Sequence, residues 1–440
     1  MRRMTVFVGL VIAGALVLGA CKKKDKPAAT KADKPAATKP DKKPDKPAVM
    51  TFDKAARDRI VKNTTYTKKP YYKEIVAEIP KLAATCQKAK KYVSSLTWCD
   101  DWKTFKKKLD KDVFKNMQGT EPKTVRKAMA VVAAAAKNIN DESLFVRYTA
   151  LETINWALYY MTHAKVDNKM RTDIRRLLAW VYKHDKTKDM RKKSIDILGN
   201  DGGVIGFRGD AQDARVLFFA AEKDADKWVR QTALSELAGC VKAGSVKCPL
   251  EPDMLRKWQG KEKDKSNTQY IAKLAGKLKM AKEVITWCKP FITDGTLYWG
   301  CKDGLKNVIG KDNFAAFKKI SDDFIASPVS KKSGDYRTGY LAEIMVASIK
   351  NGAPKDKVMA WLEKVLKQPE TVTMRGASLA TTIVRAMTKA AQSKDEVKNT
   401  KKLLKARLKA FKKAWGKDKS KKSYLKVFED SITKLKAKKA

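Results

Sequence analysis

Histidine is almost missing from this chain: His163 and His184 are the only two in 440 residues. Neither has a second histidine, a cysteine or a carboxylate at ligand spacing, so a histidine-based proton relay or metal centre has nothing to build on. The seven cysteines include no CxxC pair, which removes the usual zinc and dithiol redox signatures. Sustained period-two alternation is missing too, as are Asn-Gly or Asp-Gly hairpin turns in a β-rich setting, and this excludes a sheet-based fold. The longest apolar run, Val6 to Ala20, falls short of the ~20 residues that a bilayer-spanning helix needs. One glycine-rich stretch exists, Gly199 to Asp210, but it lacks the Lys-Ser or Lys-Thr ending of a phosphate loop and follows a helical segment. At most it offers an anion nest around Arg208. No catalytic constellation, cofactor or metal is expected.

Acidic residues are also in short supply, 48 against 96 basic ones, for a formal net charge of +48. Only 18 of the basic residues are arginine and 78 are lysine. Arginine carries the planar fork that reads a base edge or grips a carboxylate, whereas lysine is a hydrated point charge on a flexible stem. The charge is therefore a field that attracts polyanions in a salt-sensitive way, or a solvated basic surface. Apolar content of 43% and aromatic content of 8% are globular values, so the chain is not a disordered polycation.

The amino terminus has an order of its own. Arg2-Arg3, the apolar stretch and Leu18-Gly19-Ala20-Cys21 form a cationic start, a short core and a small-residue site, the pattern of an export leader over residues 1–20. Residues 22 to 48 hold ten Lys, four Asp and five Pro, with Lys-Pro-Ala-Ala-Thr-Lys occurring twice. That composition buries too little apolar surface to offset chain entropy, so 21–50 is expected to be a disordered tether. Leu18 to Cys21 resembles the lipobox of bacterial lipoproteins. The resemblance implies acylation, as by palmitate, of the Cys21 thiol, cleavage before it, and an exported protein held at the cell envelope. Lys22 stands where an Asp would resemble an inner-membrane retention signal, so the outer membrane, on its periplasmic or surface face, is the expected location.

With Cys21 set aside, six cysteines fall as neighbours: Cys86 with Cys99, Cys240 with Cys248, Cys288 with Cys301. In an exported protein three local disulfides are the favoured pairing, each contributing roughly 2 to 3 kcal/mol by restricting the unfolded chain. Trp98 and Trp102 flank Cys99, and Trp287, Phe291, Tyr298 and Trp299 surround Cys288 and Cys301. Such rings pack around the disulfide or, if exposed, present stacking surfaces for sugars.

Helical period dominates after residue 50. Apolar residues recur at three- and four-residue spacing over 72–92, 100–116, 121–138 and 144–161, with breaks expected at Pro80, Gly119, Pro122 and 138–141. Three segments then share a template: Asp141 to Ile154, Asp185 to Leu198 and Asp224 to Leu237. Each has Asp, an Arg six residues later (Arg147, Arg191, Arg230), and a stripe such as Val146, Ala150, Leu151 and Ile154. The arginines lie 44 and 39 residues apart, the length of a helix pair. This pattern resembles the HEAT repeat. The resemblance implies an all-α, HEAT/armadillo-like solenoid of antiparallel helix pairs, in which Asp141, Arg147, Asp185, Arg191, Asp224 and Arg230 form a structural ladder between repeats. Weaker echoes lie at Arg337 and Arg375, while 239–330 shows no clear copy; a generic helical bundle is the alternative.

The expected organisation is therefore a leader (1–20), a tether (21–50), a helical region (51–140), HEAT-like repeats (141–240), a disulfide-containing region (241–330), and C-terminal repeats ending in a basic helix (331–440). In that helix Leu403, Leu404, Leu408, Phe411 and Trp415 take one side and Lys405, Lys409, Lys412 and Lys413 stand elsewhere. The apolar side suits either an anionic membrane surface or the end of the solenoid. The function expected is a non-enzymatic scaffold, lipid-anchored to the membrane, that binds a partner protein or an anionic glycan or lipid. Nucleic acid is disfavoured by export and by the scarcity of arginine. The alternatives are a HEAT-like nucleic-acid-binding or modifying protein and a purely structural envelope spacer.

Overall fold

The computed structural model describes residues 55–89, 92–114, 122–161, 168–199, 211–243, 250–332, 336–368, 376–415 and 421–438. The leader, the tether with Cys21, and Arg208 lie outside them. Among the described residues there is no strand, and the chain is an all-α, solenoid-like stack. Four helices open it: α1 (Ala55–Val61), α2 (Thr64–Thr67), α3 (Pro70–Ala89) and, after a 3₁₀ turn at Val93–Trp98, α4 (Asp100–Asp112). Pairs follow: α5 (Pro122–Lys137) with α6 (Leu144–Met161), α7 (Asn168–His184) with α8 (Lys188–Gly199), α9 (Ala211–Lys223) with α10 (Lys227–Ala243) and α11 (Pro252–Lys261) with α12 (Lys265–Lys277). Next come α13 (Ala281–Thr293) with α14 (Trp299–Val308), then α15 (Phe314–Ala326) and the short α16 (Pro328–Lys332) before α17 (Tyr336–Lys350). The last pairs are α18 (Lys355–Lys367) with α19 (Gly376–Ala390) and α20 (Lys394–Trp415) with α21 (Lys422–Ala437).

Every second helix packs on the next: α6 on α8, then α10, α12, α14, α17, α19 and α21. This row is the spine of the stack. Its residues are those that the template placed on one stripe, for Ala150, Leu151, Ile154, Ser194, Ile195, Leu198, Ala233, Leu234 and Leu237 are all fully buried. The spine runs through 265–308, where the sequence shows no copy of the template.

The spine is tightest between α12 and α14. A Cβ added to Gly276 would lie 2.5 Å from Gly304 Cα, and one added to Gly304 would lie 2.5 Å from the Ala272 carbonyl oxygen. Gly300, one turn earlier, abuts the Gln269 backbone in the same way. Two helices meet here backbone to backbone, which only glycine allows.

Both ends are closed. At the start, Ala128 to Ala136 of α5 are buried on every side, as an all-round apolar helix must be, and α1, α2, α3 and α6 surround it. Arg57 of α1 donates from Nε to the Ala136 carbonyl (3.2 Å) and from Nη2 to that of Lys137 (3.3 Å), covering the end of α5. Pro80 does not break its helix as expected but sits inside α3. It removes the N–H that would bond the Val76 carbonyl, and Asn138 Nδ2 donates to that oxygen instead, at 3.2 Å.

Identical substitutions at two glycines are expected to have opposite signs. Gly304→Ala collides with backbone that cannot yield, and should lower the thermal midpoint by a cost of about 1–3 kcal/mol. Gly260→Ala, inside α11 with nothing within 4 Å of the new carbon, should raise stability by up to about 1 kcal/mol. Calorimetry on the two variants checks the pair.

Candidate functional site

The template residues meet between neighbouring repeats. Arg147 Nε donates to Asp185 Oδ2 at 2.8 Å. Arg191 holds Asp224 with two nitrogens, at 2.9 and 3.1 Å. Arg230 holds Glu262 likewise, at 2.8 Å from both Nε and Nη2. Glu262 takes the place of the template Asp, and this third rung escaped the sequence pattern because the acid is one carbon longer and no arginine follows it. Each arginine also turns Nη1 back onto carbonyls preceding its own helix, such as Asp141, Lys186 and Asp224. Each acid also accepts the backbone N–H two residues on, Ser143 for Asp141, Thr187 for Asp185, Asp226 for Asp224 and Asp264 for Glu262; Asp185 uses the oxygen opposite Arg147, whereas Asp224 Oδ1 and Glu262 Oε1 are shared with the arginine. At Asp185, Asp224 and Glu262 one side chain thus shapes its own loop and grips the preceding repeat.

Beyond Glu262 the ladder changes chemistry. Gln269 donates from Nε2 to the Thr296 carbonyl (3.0 Å) and accepts from Tyr298 N–H (2.8 Å). This rung fixes the start of α14 without charge. Farther on, Lys302 reaches Glu343 at 3.1 Å and Lys355 reaches Glu396 at 2.7 Å.

Burial and bonding compete in these acids. For Glu262, burial pushes the carboxyl up, and the Arg230 guanidinium with the Asp264 N–H overcomes it, leaving the pKa below the ordinary 4.5. For Glu396 the same opposition, won by Lys355 and the Gln392 and Ser393 N–H groups, brings it down to about 2. The arginine partners shift the other way: bonding to Asp224 and to Glu262 holds Arg191 and Arg230 above their usual value.

Two cysteine pairs are joined. Cys86 of α3 bonds Cys99 at the end of the 3₁₀ turn, Cα atoms 5.8 Å apart, and Cys288 of α13 bonds Cys301 of α14 across 5.6 Å. Cys248 and the Cys240 side chain lie outside the described residues. Asp101 approaches the first pair, but sulfurs bonded to one another leave no thiolate for a metal.

The aromatics near the disulfides divide. Trp102 and Phe291 are buried, whereas Trp98 is 72% and Trp299 65% exposed. Tyr298 and Trp299, held by the Gln269 rung and Cys301, line a cleft of about 250 Å³ with Gln231, Ser266 and Tyr270. Trp228 stands exposed at the start of α10. In α20, Leu404, Phe411 and Trp415 are buried, with Phe411 stacked obliquely 4.8 Å from Phe428 of α21. That apolar side closes the solenoid and is not free for a membrane. Lys405, Lys409, Lys412 and Lys413 face outward, with Lys412 held by Glu429 at 2.8 Å. His184 lies exposed in the last turn of α7 beside Trp180.

No family model and no curated protein matches this chain. A solved structure described as an engineered protein aligns with 87% of this chain and 100% of its own length, at 11% identity and a TM-score of 0.31.

Breaking one rung should cost more than an exposed ion pair would. Arg191→Met leaves the Asp224 carboxylate, 3% exposed, without its partner, at a cost of about 3 kcal/mol. Adding Asp224→Asn should cost less than the two single changes summed, a coupling that denaturant midpoints would measure. The pH dependence has a fixed sign. Since folding lowers the pKa of Glu262 and Glu396, their stabilisation is complete above 4.5 and is lost as pH falls toward the folded values. Thermal midpoints should fall on acidification below 4.5, and Glu262→Gln should flatten that decline.

Proposed function

We propose that the chain is a non-catalytic, lipid-anchored envelope protein: a HEAT-like scaffold tethered through Cys21 that holds an anionic envelope component or a partner protein against its helices. What supports the location is the run Leu18 to Cys21 after an apolar leader, the Lys/Pro/Ala tether composition, and the two disulfides, which persist in oxidising compartments. Among the described residues no helix is long and apolar enough to cross a membrane, so in this proposal the acyl chains carry the attachment. A single acyl chain gives only marginal, reversible binding, and a second signal is needed.

The binding half of the proposal is carried by one observation, the outer face of α20. Its apolar residues are consumed by packing, so Lys405, Lys409 and Lys413, one helical turn apart, are presented outward. Packing alone would not require basic residues at all three. Opposed to an anionic surface such a row contributes about 1 kcal/mol per lysine. Trp228, Tyr298 and Trp299 favour the partner-protein form of the same proposal, since exposed Trp and Tyr are enriched at interfaces.

Labelled palmitate should enter the wild-type chain and not Cys21→Ser, and that variant should leave the membrane fraction. Vesicles containing anionic lipid should bind the purified Cys21→Ser chain at about 0.1 M salt and release it near 1 M. Binding unchanged over that range, or unaffected by neutralising Lys405, Lys409 and Lys413, would contradict the electrostatic half.

A further inference from the structure

A second cationic site lies in the C-terminal repeats, where the C-terminal ends of α14, α17 and α19 converge. Here Val346, Ala347 and Ile349 of α17 face Ala386 and Ala390 of α19 across a groove of about 510 Å³. That volume falls within the roughly 300–1,000 Å³ of small-molecule sites. Its wall is apolar and its rim is basic: Lys306, Lys350, Lys355, Arg385 and Lys389 surround it, with Glu343 the only acid among the lining residues.

The charges do not cancel. Glu343 is taken by Lys302 at 3.1 Å and Lys306 at 3.6 Å, and Lys355 is taken by Glu396. That leaves Lys350, Arg385 and Lys389, all exposed, with no ion pair or hydrogen bond among the described residues. Lys350 and Lys389 stand in the last turns of their helices, where a cation complements the helix dipole. Arg385, a turn earlier on the same side as Lys389, has no such use. Arginine is sparingly spent in this chain, and Arg59, Arg147, Arg191, Arg230 and Arg256 are each spent on a carboxylate. Among the described residues Arg385 offers the same planar fork to no partner.

We infer that this groove binds an anionic amphiphile of the membrane-lipid kind, a phosphate head carried on an alkyl chain. Arg385 and Lys389, one turn apart, close on the phosphate from α19, the guanidinium by two parallel hydrogen bonds. Lys350 adds charge from the α17 side. The chain lies along Val346, Ile349 and Ala386, and the small Ala347, Ala386 and Ala390 leave room for it. An acidic peptide would need donors and acceptors all along the groove for its backbone, whereas the lining offers chiefly Val346, Ala347, Ile349, Ala386 and Ala390, with Thr382 and Gln392 its neutral polar side chains. The inference rests on the envelope proposal for the supply of such lipids, but the site itself is independent of Cys21 and of α20.

The test is titration of the purified full-length Cys21→Ser chain, free of detergent, with dodecyl phosphate below its micellar concentration. Saturable binding is expected, about tenfold weaker in Arg385→Gln/Lys389→Gln and weaker again in Ala386→Trp, which fills the groove, while Lys107→Gln/Lys111→Gln, on the exposed side of α4, binds as wild type. Circular dichroism confirms that the variants keep their helices. Equal affinity of wild type and Arg385→Gln/Lys389→Gln overturns the inference. So does inorganic phosphate competing as well as the dodecyl ester, which would leave the apolar wall without a role, or dodecyltrimethylammonium binding equally. If fractionation fails to find the chain at membranes yet the titration succeeds, the envelope proposal falls and the groove stands.

Discussion

The distance between successive second helices governs this molecule. Where Gly276 and Gly304 bring α12 and α14 into backbone contact, no larger residue fits. The arginine ladder then fixes how each repeat is rotated on the last, since a fork gripping a carboxylate in the neighbouring loop admits little freedom. Packing sets the spacing and the ladder sets the register. Everything on the surface, from the aromatic edge near Trp299 to the basic groove between α17 and α19, is placed by those two.

Much of the spine was legible in the sequence because one stripe recurs with the Asp and Arg that precede it. The stripe failed to mark α12 and α14 for a physical reason: glycines and Gln269 do there what aliphatic side chains and arginine do earlier. Contact made by removing a side chain leaves no apolar periodicity to read. Pro80 misled in the opposite direction, since its helix survives through a long-range bond from Asn138, which no local pattern could register. The basic helix at the end carried two meanings in sequence, and only the packing of Phe411 on Phe428 decided that its apolar side is spent on the fold.

The candidate sites were less legible. Lysines on α20 could be placed on one helix from sequence, but the groove could not, because its wall and rim come from α14, α17, α18 and α19 and share no motif. What separates structural from available charge is partnership. Arginines cluster in the ladder with acids that neutralise them, while most of the excess positive charge resides on lysine. A chain at +48 can fold because its interior is nearly neutral, and the repulsion is spread over a long surface in salt.

The row of second helices is the cooperative spine of the molecule. Native-state hydrogen exchange resolved by peptide measures it directly. Amides of α8, α10, α12 and α14 should be the slowest in the chain and should open together, with the facing helices α9 and α11 exchanging faster by smaller openings. Protection spread evenly over both rows, or greatest in α9 and α11, would contradict the account.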